Sequence, residues 1–286
     1  MSRWQSALGA RLIRVSLLVD RGFKRFDQIR SFLITSLAGD GTLEAYNDLT
    51  YGATRVYDAS APQFRTRLFN WEAELVERVF PKAPGRILVG GAGGGREAFE
   101  LVARGYDVTA FEPSEVLARS MAERAKDAGA PVEVLLGRYE ELPRLQEFAS
   151  RQAVDLTERP PYSAALLGWS SFSHIRRREG RIATLQRFAA VTDGPVVASF
   201  FLRPPAGRAR RHPLSRLSIT RGWRSEGDSF TPHIGFFHLS SADELAGEVA
   251  DAGLVLVDAS YNDSEGYWPW VAVARPEVAA RSSPPR

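Results

Sequence analysis

The sequence contains no cysteine and only four histidines among its 286 residues. The absence of cysteine excludes disulfide bonds, thiolate zinc sites and a cysteine nucleophile. The histidines, at His174, His212, His233 and His238, are too scattered to indicate a metal centre built on imidazole ligands. We therefore expect no metal site, with the reservation that carboxylates alone suffice for magnesium.

An excess of charge of one sign is also lacking, as are long apolar runs. The 37 Lys and Arg residues oppose 34 Asp and Glu residues, which leaves a net charge of +3. So small an excess argues against a general nucleic-acid binder, and we expect no nucleic-acid partner. No segment reaches the roughly 18 apolar residues that a spanning helix needs. Charges at Arg14, Asp20 and Arg21 interrupt any signal peptide, so the prediction is a cytoplasmic protein.

The first part of the chain, residues 1–80, is predicted to form a helical cap. Apolar and basic positions alternate at helical spacing up to about residue 36, with a break near Gly22. A helix packed on the core explains this pattern, and docking to a membrane surface or a carrier protein is the alternative that stays open. Glycine and proline in residues 40–65 predict a loop-rich segment, in which Tyr46 and Tyr51 are candidate substrate contacts.

Strands and helices alternate from Arg86 onwards. Five apolar strands are predicted up to Leu202, followed by a helix and then two strands joined by a short turn. This alternation predicts an α/β fold with a parallel sheet covered on both faces, closed by one antiparallel strand. The expected organisation is one domain over residues 81–275, with a substrate-lid insertion at 203–238 and a disordered tail at 276–286.

The most informative segment is the glycine loop Gly90–Gly95, which lies between the first predicted strand and a helix. Glycines let the backbone turn sharply and approach a ligand, while a helix start offers free N–H donors. The dinucleotide fingerprint G-x-G-x-x-G would need a glycine where Arg96 stands, so an NAD-dependent oxidoreductase is the less favoured alternative. Glu112 ends the next strand, where an acid can accept both hydroxyls of a ribose.

This combination resembles the first two motifs of the class I S-adenosylmethionine-dependent methyltransferases. The resemblance covers residues 85–203 by motif and 236–274 by topology. It implies a Rossmann-like seven-stranded mixed sheet in the order 3-2-1-4-5-7-6, with strand 7 antiparallel, and S-adenosylmethionine as the cofactor. By the same resemblance one acid and three glycines would contact the cofactor: Glu112 the ribose, and Gly91, Gly93 and Gly95 the methionine part.

The third motif departs from the family pattern. Family members often place Asp after the third strand to contact the adenine amine, but this chain has Arg138, which offers no acceptor. Adenine recognition would then pass to backbone groups, to Glu140, or to stacking on Tyr139. The departure also supports an alternative in which the protein is a non-catalytic scaffold or regulatory subunit with a methyltransferase fold.

The segment after the fourth strand resembles the Ser-Phe-x-His-Leu turn of some small-molecule N-methyltransferases. This resemblance places Gly168, Trp169 and Ser170 beside the cofactor. The sequence of this turn differs from the Asn-Pro-Pro-Tyr motif of enzymes that methylate nucleobase amines. His174, which follows, is the first candidate for a general base, and a backbone hydrogen bond is its structural alternative. His238 is the second candidate, with a helix start nearby as the alternative.

The insertion after the fifth strand is rich in arginine. Arg210, Arg211, Trp223 and His233 are candidate substrate contacts, in a lid that would pair with a carboxylate, a phosphate or an acidic carrier protein. A solvated loop is the alternative. The sequence as a whole predicts a methyltransferase that acts on oxygen or nitrogen of a small molecule, in specialised metabolism, with a lipid or carrier-bound acceptor as the alternative. It does not indicate an oligomeric state.

Overall fold

The structure is a computed structural model, and it describes residue 19 and the ranges 22–53, 57–58, 60–62, 68–203 and 225–282. Three of the candidate substrate contacts, Arg210, Arg211 and Trp223, lie outside the described residues. The same is true of most of the predicted insertion and of almost all of the chain before residue 22.

In chain order the α-helices are α1 (22–37), α2 (Asp40–Ala53), α3 (Asn70–Val79), α4 (Arg96–Ala103), α5 (Glu115–Ala128), α6 (Arg178–Ala190), α7 (Ala242–Asp251) and α8 (Pro276–Ser282). Short 3-10 helices cover Tyr139–Glu141, Leu156–Glu158 and Ser171–His174. Side-chain caps begin two of the α-helices, because Ser114 accepts a hydrogen bond from the Leu117 amide and Ser241 from the Glu244 amide.

The strands are β1 (Arg86–Gly90), β2 (Asp107–Glu112), β3 (Val132–Leu136), β4 (Arg144–Glu147), β5 (Ala153–Asp155), β6 (Ala164–Leu167), β7 (Val196–Ser199), β8 (Phe201–Leu202), β9 (Asp228–Thr231), β10 (Gly235–Ser240), β11 (Val255–Ser260) and β12 (Trp270–Ala274). Nine of them form one sheet in the order β11-β12-β7-β6-β1-β2-β3-β4-β5. The five strands at its centre, β7, β6, β1, β2 and β3, are parallel to one another. β12 is antiparallel to both of its neighbours, β7 and β11.

The predicted Rossmann-like α/β class, the order of the seven predicted strands and the antiparallel seventh strand are confirmed. The predicted strand count is wrong, because β4 and β5 extend the sheet beyond β3. These two strands are short, β4 is mostly polar with only Leu145 buried, and β5 has only three residues. They therefore lack the apolar run on which strand prediction depends.

Each face of the large sheet has its own hydrophobic core. In β1, Leu88 packs into the core that contains Leu185 of α6 and Val249 of α7. Its neighbours Ile87 and Val89 face the opposite core, which contains side chains of α3, α4 and α5. This alternation is what a parallel sheet covered on both faces requires, because successive side chains of a strand point to opposite faces.

The prediction of a loop-rich segment at residues 40–65 is wrong for its first part, which forms α2. Glycine in a helix interior costs roughly 1 kcal/mol relative to alanine, and α2 contains two glycines. Tertiary packing offsets this cost, because Leu43 is buried against Phe230 and Phe236. α1 ends at residue 37 and α2 begins at Asp40, so only residues 38 and 39 separate the two helices.

Two further expectations are corrected beyond β7. The predicted fifth strand divides, so that β7 belongs to the large sheet and β8 to a three-stranded sheet of order β8-β10-β9. Residues 276–282 of the predicted disordered tail form α8, in which Pro276 occupies the first turn together with Glu277, a favoured arrangement for a helix start. Residues 283–286 lie outside the described residues. Within the described part of the chain, every helix is too short or too polar to cross a bilayer.

Candidate functional site

A cavity of about 450 Å³ lies at the carboxyl ends of the central parallel strands. This is where ligands bind in open α/β sheets. The loops after β1, β3 and β6 contribute to its walls, and residues of α2 and of the segment around β10 complete them. The predicted site residues that line the cavity are Tyr51, Gly91, Gly93, Glu112, Arg138, Tyr139, Trp169, Ser170 and His174.

The glycine loop has the backbone conformation that its sequence suggests. Gly91, Gly93 and Gly95 have φ values of 63°, 54° and 90°, in the left-handed region that favours glycine. A Cβ atom on Gly91 would lie 2.5 Å from the Tyr139 hydroxyl oxygen, and one on Gly95 would lie 2.8 Å from Cγ of Met121. Gly91 and Gly93 line the cavity, whereas Gly95 precedes the first residue of α4 and does not.

Glu112 lies at the end of β2 and is 6% exposed. Its Oε2 accepts a hydrogen bond from the Gly93 amide at 2.9 Å, and its Oε1 accepts one from the Ser114 amide at 3.0 Å. Burial raises the pKa of Glu112 to about 7, against the effect of both amides. A carboxylate has about four acceptor positions, so this oriented side chain can still accept hydrogen bonds from a ribose.

The side chain of Arg138 contacts helix α2. Its guanidinium forms an ion pair with Asp48 of α2, so the side chain that replaces the usual acid serves to join the third motif to α2. The ring of Tyr139 packs against Phe111 and Phe188, with centroid distances of 5.6 and 5.8 Å. Its hydroxyl donates to Oγ of Ser171 at 2.6 Å.

The turn after β6 carries two unusual features at one residue. Ser170 has a φ of 60°, although it is not glycine, and it is 1% exposed. Its amide donates to Oγ of Ser199 at 2.6 Å, while its own hydroxyl has no hydrogen-bond partner among the described residues. Both features are energetically costly and tend to occur at functional sites. The neighbouring Gly168 donates its amide to the Gly90 carbonyl and lies behind the cavity wall.

His174 lines the cavity and forms a hydrogen bond at each ring nitrogen. Its Nδ1 lies 2.7 Å from the carbonyl oxygen of Phe236, which can only accept, so Nδ1 carries the proton. Its Nε2 then accepts from the Tyr51 hydroxyl at 2.6 Å. Burial lowers the pKa of His174 to about 4, so the ring is neutral near pH 7. The backbone hydrogen bond and an available basic nitrogen, which the sequence offered as alternatives, thus coexist on one ring.

His238 is the clearest correction, because it does not line the cavity. It is fully buried, with Nδ1 2.8 Å from Asp228 and Nε2 2.8 Å from Glu244. Burial opposes the charged form, but the hydrogen bonds to the two carboxylates raise the pKa of His238 above its usual value. Glu244 also pairs with Arg181 and Arg203. We call the group formed by His238, Asp228, Glu244, Arg181 and Arg203 the β10–α7 ionic cluster. Because His238 does not line the cavity, it cannot contact a ligand bound there.

Two other predicted substrate contacts lie away from the cavity wall. The Tyr46 hydroxyl donates to the carbonyl of Pro232 at 3.1 Å, and its ring packs on Phe230. His233 is exposed and does not line the cavity. Both side chains belong to the junction between α2 and the three-stranded sheet, so the expectation that they line the pocket is wrong.

Charged residues of α2 form a feature that sequence reasoning missed. Asp40, Glu44 and Asp48 all line the cavity, because residues four apart lie on one face of a helix. Arg176 and Arg177 pair with Asp40. The spacing of four between these acids is a usable signal, because in a helix it places them on one face. The sequence predicts a loop-rich segment here, in which this spacing does not bring the acids together.

A second missed feature is a buried ionic group beside the glycine loop. Arg96 is 2% exposed and donates to Glu72 of α3 at 2.5 Å and to Glu97 at 2.7 Å. Burial raises the pKa of Glu72 to about 7. Glu97 also lines the cavity. Arg96 therefore holds α3 against the start of α4 and fixes a carboxylate at the cavity wall.

Further aromatic side chains that sequence reasoning missed, among them Tyr57, Phe201 and Trp268, also line the cavity. They come from separate segments, and no spacing in the sequence indicates that they meet. Within the described ranges, no group of three or more His, Asp or Glu side chains is arranged to hold a metal ion.

No protein-family model matches this sequence, and no curated protein does. Many solved structures share the fold. The methyltransferase CcbJ from Streptomyces caelestis is 18% identical with a TM-score of 0.55, over 79% of this chain and 98% of that chain. The 1,6-didemethyltoxoflavin-N1-methyltransferase from Burkholderia thailandensis, solved with its namesake compound and S-adenosylhomocysteine, is 18% identical with a TM-score of 0.55, over 83% and 89% of the two chains.

A [4+2]-cyclase, SpnF, has the same fold at 17% identity and a TM-score of 0.51, over 77% of this chain and 73% of that chain. The chain therefore has the fold of the class I S-adenosylmethionine-dependent methyltransferases. Because a protein described as a cyclase shares it, this fold does not by itself determine the reaction.

Proposed function

We propose that the protein is an S-adenosylmethionine-dependent methyltransferase that transfers a methyl group to an oxygen or nitrogen of a small molecule, as part of specialised metabolism. The observation that carries the proposal is the carboxylate of Glu112, oriented by two backbone amides beside a glycine loop at the carboxyl edge of the sheet. The methyltransferases of similar fold include one solved with S-adenosylhomocysteine.

The residues present fit this cofactor. Glu112 has free acceptor positions for ribose hydroxyls, and the positive φ values of Gly91 and Gly93 allow a ligand to approach the backbone closely. The unpaired hydroxyl of Ser170 offers a further polar contact in the same wall. When bound, the cofactor supplies an electrophilic methyl group on a sulfonium sulfur.

The chain's own residues supply alignment, exclusion of water and proton transfer. α2 covers the cavity through the ion pairs of Asp40 and Asp48 and through Tyr51, which limits the access of water. The Tyr51 hydroxyl can accept a proton from the acceptor group while its own proton passes to Nε2 of His174. Nε2 of the neutral imidazole is the atom that receives this proton, and its lowered pKa makes His174 a weak base near pH 7.

The cavity size supports a small-molecule acceptor. A volume of about 450 Å³ lies within the range of roughly 300–1,000 Å³ typical of small-molecule and cofactor sites.

A second candidate is a lipid acceptor presented at an anionic membrane surface, supported by α1. Phe23 and Phe26 of this helix are 66% and 61% exposed, and Lys24 and Arg25 lie beside them. An amphipathic helix with basic residues can bind anionic lipid. Sedimentation with phosphatidylserine vesicles of wild type and of the double variant Phe23→Ser/Phe26→Ser tests this candidate. Equal sedimentation of the two would contradict it.

The decisive experiment is isothermal titration with S-adenosylmethionine, S-adenosylhomocysteine and NAD. We expect micromolar binding of the first two and none of NAD. In Glu112→Gln the affinity should fall about 10- to 100-fold, because hydrogen bonds to a charged acceptor are worth about 1.5–3 kcal/mol. The matched control is Glu115→Gln, an exposed residue of α5, which should leave binding unchanged. Binding of NAD alone would overturn the proposal. Binding of none of the three ligands would also overturn it, and would favour the scaffold alternative.

A further inference from the structure

Six ring side chains form a closed circuit along the cavity, in which each ring contacts the next. We call this set the aromatic cage. In order around the circuit it consists of Tyr51, Tyr57, Trp169, Trp268, Phe201 and His174. Successive ring centroids are separated by 4.9 to 6.3 Å. All six line the cavity, and none is fully buried.

The walls of the cage meet at steep angles. Between successive rings the interplanar angles range from 62° to 89°. A circuit of edge-to-face neighbours can present several ring faces and edges to one compact group, the arrangement that recognises alkylated ammonium groups through cation–π attraction.

The charges around the cage favour a cationic ligand. His174, the only titratable nitrogen in the cage, is neutral near pH 7 because burial lowers its pKa. The guanidiniums that line the described cavity, those of Arg138, Arg176 and Arg177, are paired with Asp48 and Asp40 of α2.

Further carboxyl groups lie in the same walls. Glu44, Glu97 and Glu112 line the cavity, and a Cβ atom on Gly168, next to Trp169, would lie 3.4 Å from Oε1 of Glu97. Glu97 shares Arg96 with Glu72, so two acids there face one base. In all, among the described residues, six carboxyl groups line the cavity against three guanidiniums. Burial raises the pKa of Glu44 and of Glu112, but the remaining four acids still outnumber the guanidiniums, and this balance favours a cationic over an anionic acceptor.

From this arrangement we propose that the aromatic cage binds the methyl acceptor as a protonated alkylamine, and that the reaction is N-methylation. This inference rests on the proposed function and specifies its substrate class. The ammonium form is the one recognised, because the ring faces attract a positive charge and offer nothing comparable to a neutral alcohol.

The bound ammonium must lose one proton before its nitrogen can react. That proton passes through the Tyr51 hydroxyl to Nε2 of His174, which converts the imidazole to imidazolium. The freed lone pair then bonds to the methyl carbon as the carbon–sulfur bond breaks, and the electrons of that bond remain on sulfur. The products are a methylated amine, which keeps a positive charge, and a neutral thioether; the imidazolium returns its proton to solvent.

The test compares two probes of nearly equal shape, choline and 3,3-dimethylbutan-1-ol, which differ in a quaternary nitrogen against a carbon. Each has a nine-proton methyl singlet, so binding to the full chain saturated with S-adenosylhomocysteine is followed by line broadening in proton NMR. We expect choline to bind about tenfold or more tightly than the alcohol. Equal affinities, tighter binding of the alcohol, or no broadening by either probe would overturn the proposal.

Variants assign the preference to the cage. Trp268→Leu keeps an apolar side chain but removes one ring face, and we expect the choline preference to fall to about threefold or less. Trp268→Phe should retain part of it. Tyr57→Leu provides an independent test at another wall if Trp268→Leu does not fold. The matched control is Phe26→Leu on the exposed side of α1, and a loss of preference in this control would count against the cage.

Failure of this inference is separable from failure of the proposed function. Binding of S-adenosylhomocysteine, measured first on the same sample, tests the function. If S-adenosylhomocysteine binds and choline is not preferred, the amine class is wrong and the methyltransferase proposal stands. If choline is preferred while S-adenosylhomocysteine does not bind, the cage is a cation site and the methyltransferase proposal fails.

Discussion

The cavity wall around His174 and the β10–α7 ionic cluster around His238 place the same residue type in opposite electrostatic settings. His174 is a member of the aromatic cage, lies between Tyr51 and Phe201, and donates to one backbone carbonyl. His238 lies between the carboxylates of Asp228 and Glu244. Burial lowers the pKa of the first to about 4, whereas the carboxylates raise that of the second despite its burial.

The contrast shows that burial and sequence position do not define the role of a histidine. Burial alone disfavours the charged form, and only specific acidic partners reverse this effect. The neutral ring with a nitrogen toward the cavity can take part in proton transfer. The second ring, held between two carboxylates in the ionic cluster, stabilises the junction of the three-stranded sheet with α7.

The largest expected effect is on the stability of the ionic cluster. His238→Leu leaves the buried carboxylate of Asp228 without its imidazole partner, while Glu244 keeps Arg181 and Arg203; this change should lower the free energy of unfolding by about 3 kcal/mol. Urea denaturation followed by circular dichroism measures the change. The matched control is His233→Leu, since His233 is exposed, and it should change stability by no more than about 0.5 kcal/mol. Similar losses in both variants would remove the assigned role of the cluster.

The next effect is on catalysis at the cavity. His174→Ala should lower kcat about 100-fold or more, because general bases typically contribute about 10²–10⁴ to the rate. Binding of S-adenosylhomocysteine should change little, since the proposed cofactor contacts lie at the glycine loop and Glu112. Steady-state kinetics on an amine acceptor, with titration of S-adenosylhomocysteine alongside, gives both values. A kcat within threefold of wild type would show that His174 is only structural.

A smaller effect is expected at the partner of His174. Tyr51→Phe keeps the ring in the aromatic cage but removes the hydroxyl that donates to Nε2. We expect kcat to fall about tenfold, less than in His174→Ala, because the imidazole remains as a base but no longer receives the proton through the Tyr51 hydroxyl. The choline preference should persist, because it depends on the ring. Loss of that preference with unchanged kcat would mean that the hydroxyl positions the ligand and does not transfer a proton.

The smallest effect is a difference in how stability depends on pH. The unfolded pKa of either histidine is near 6.5. His174 has a depressed pKa when folded, so the unfolded chain binds the proton more readily and the protein loses stability as pH falls from 6.5 towards 4. His238 has a raised pKa when folded, so its contribution is complete below pH 6.5 and is lost as pH rises through the raised value.

Matched glutamine variants test these opposite signs. Compared with wild type, His174→Gln should become relatively more stable as pH falls below 6.5. His238→Gln should show its largest deficit below pH 6.5 and a smaller one at higher pH. Urea unfolding at several values between pH 4.5 and 8.5 measures both trends. Trends of the same sign in the two variants would contradict the assigned protonation states.

Sequence reasoning predicted those parts of the molecule that depend on neighbours in the chain. The central strands are contiguous apolar runs, and this is why the strands themselves could be predicted, whereas their order was implied by the resemblance to the class I methyltransferases. Strand β4, which is mostly polar, and β5, which has only three residues, carry no such signal. The helix α2 was missed because its glycines favour loops locally, while its stability depends on packing of Leu43 against residues nearly 200 positions away.

The sequence by itself determined the glycine loop, the acid at the end of β2 and the class of fold, because each follows from backbone conformation and periodicity over a few adjacent residues. The tertiary structure alone decided which histidine faces the cavity, that Arg138 pairs with Asp48, and that six rings from separate segments form one cage. The physical reason is that hydrophobic burial is non-directional. Aromatic and charged side chains therefore find their partners only when the fold brings distant segments together.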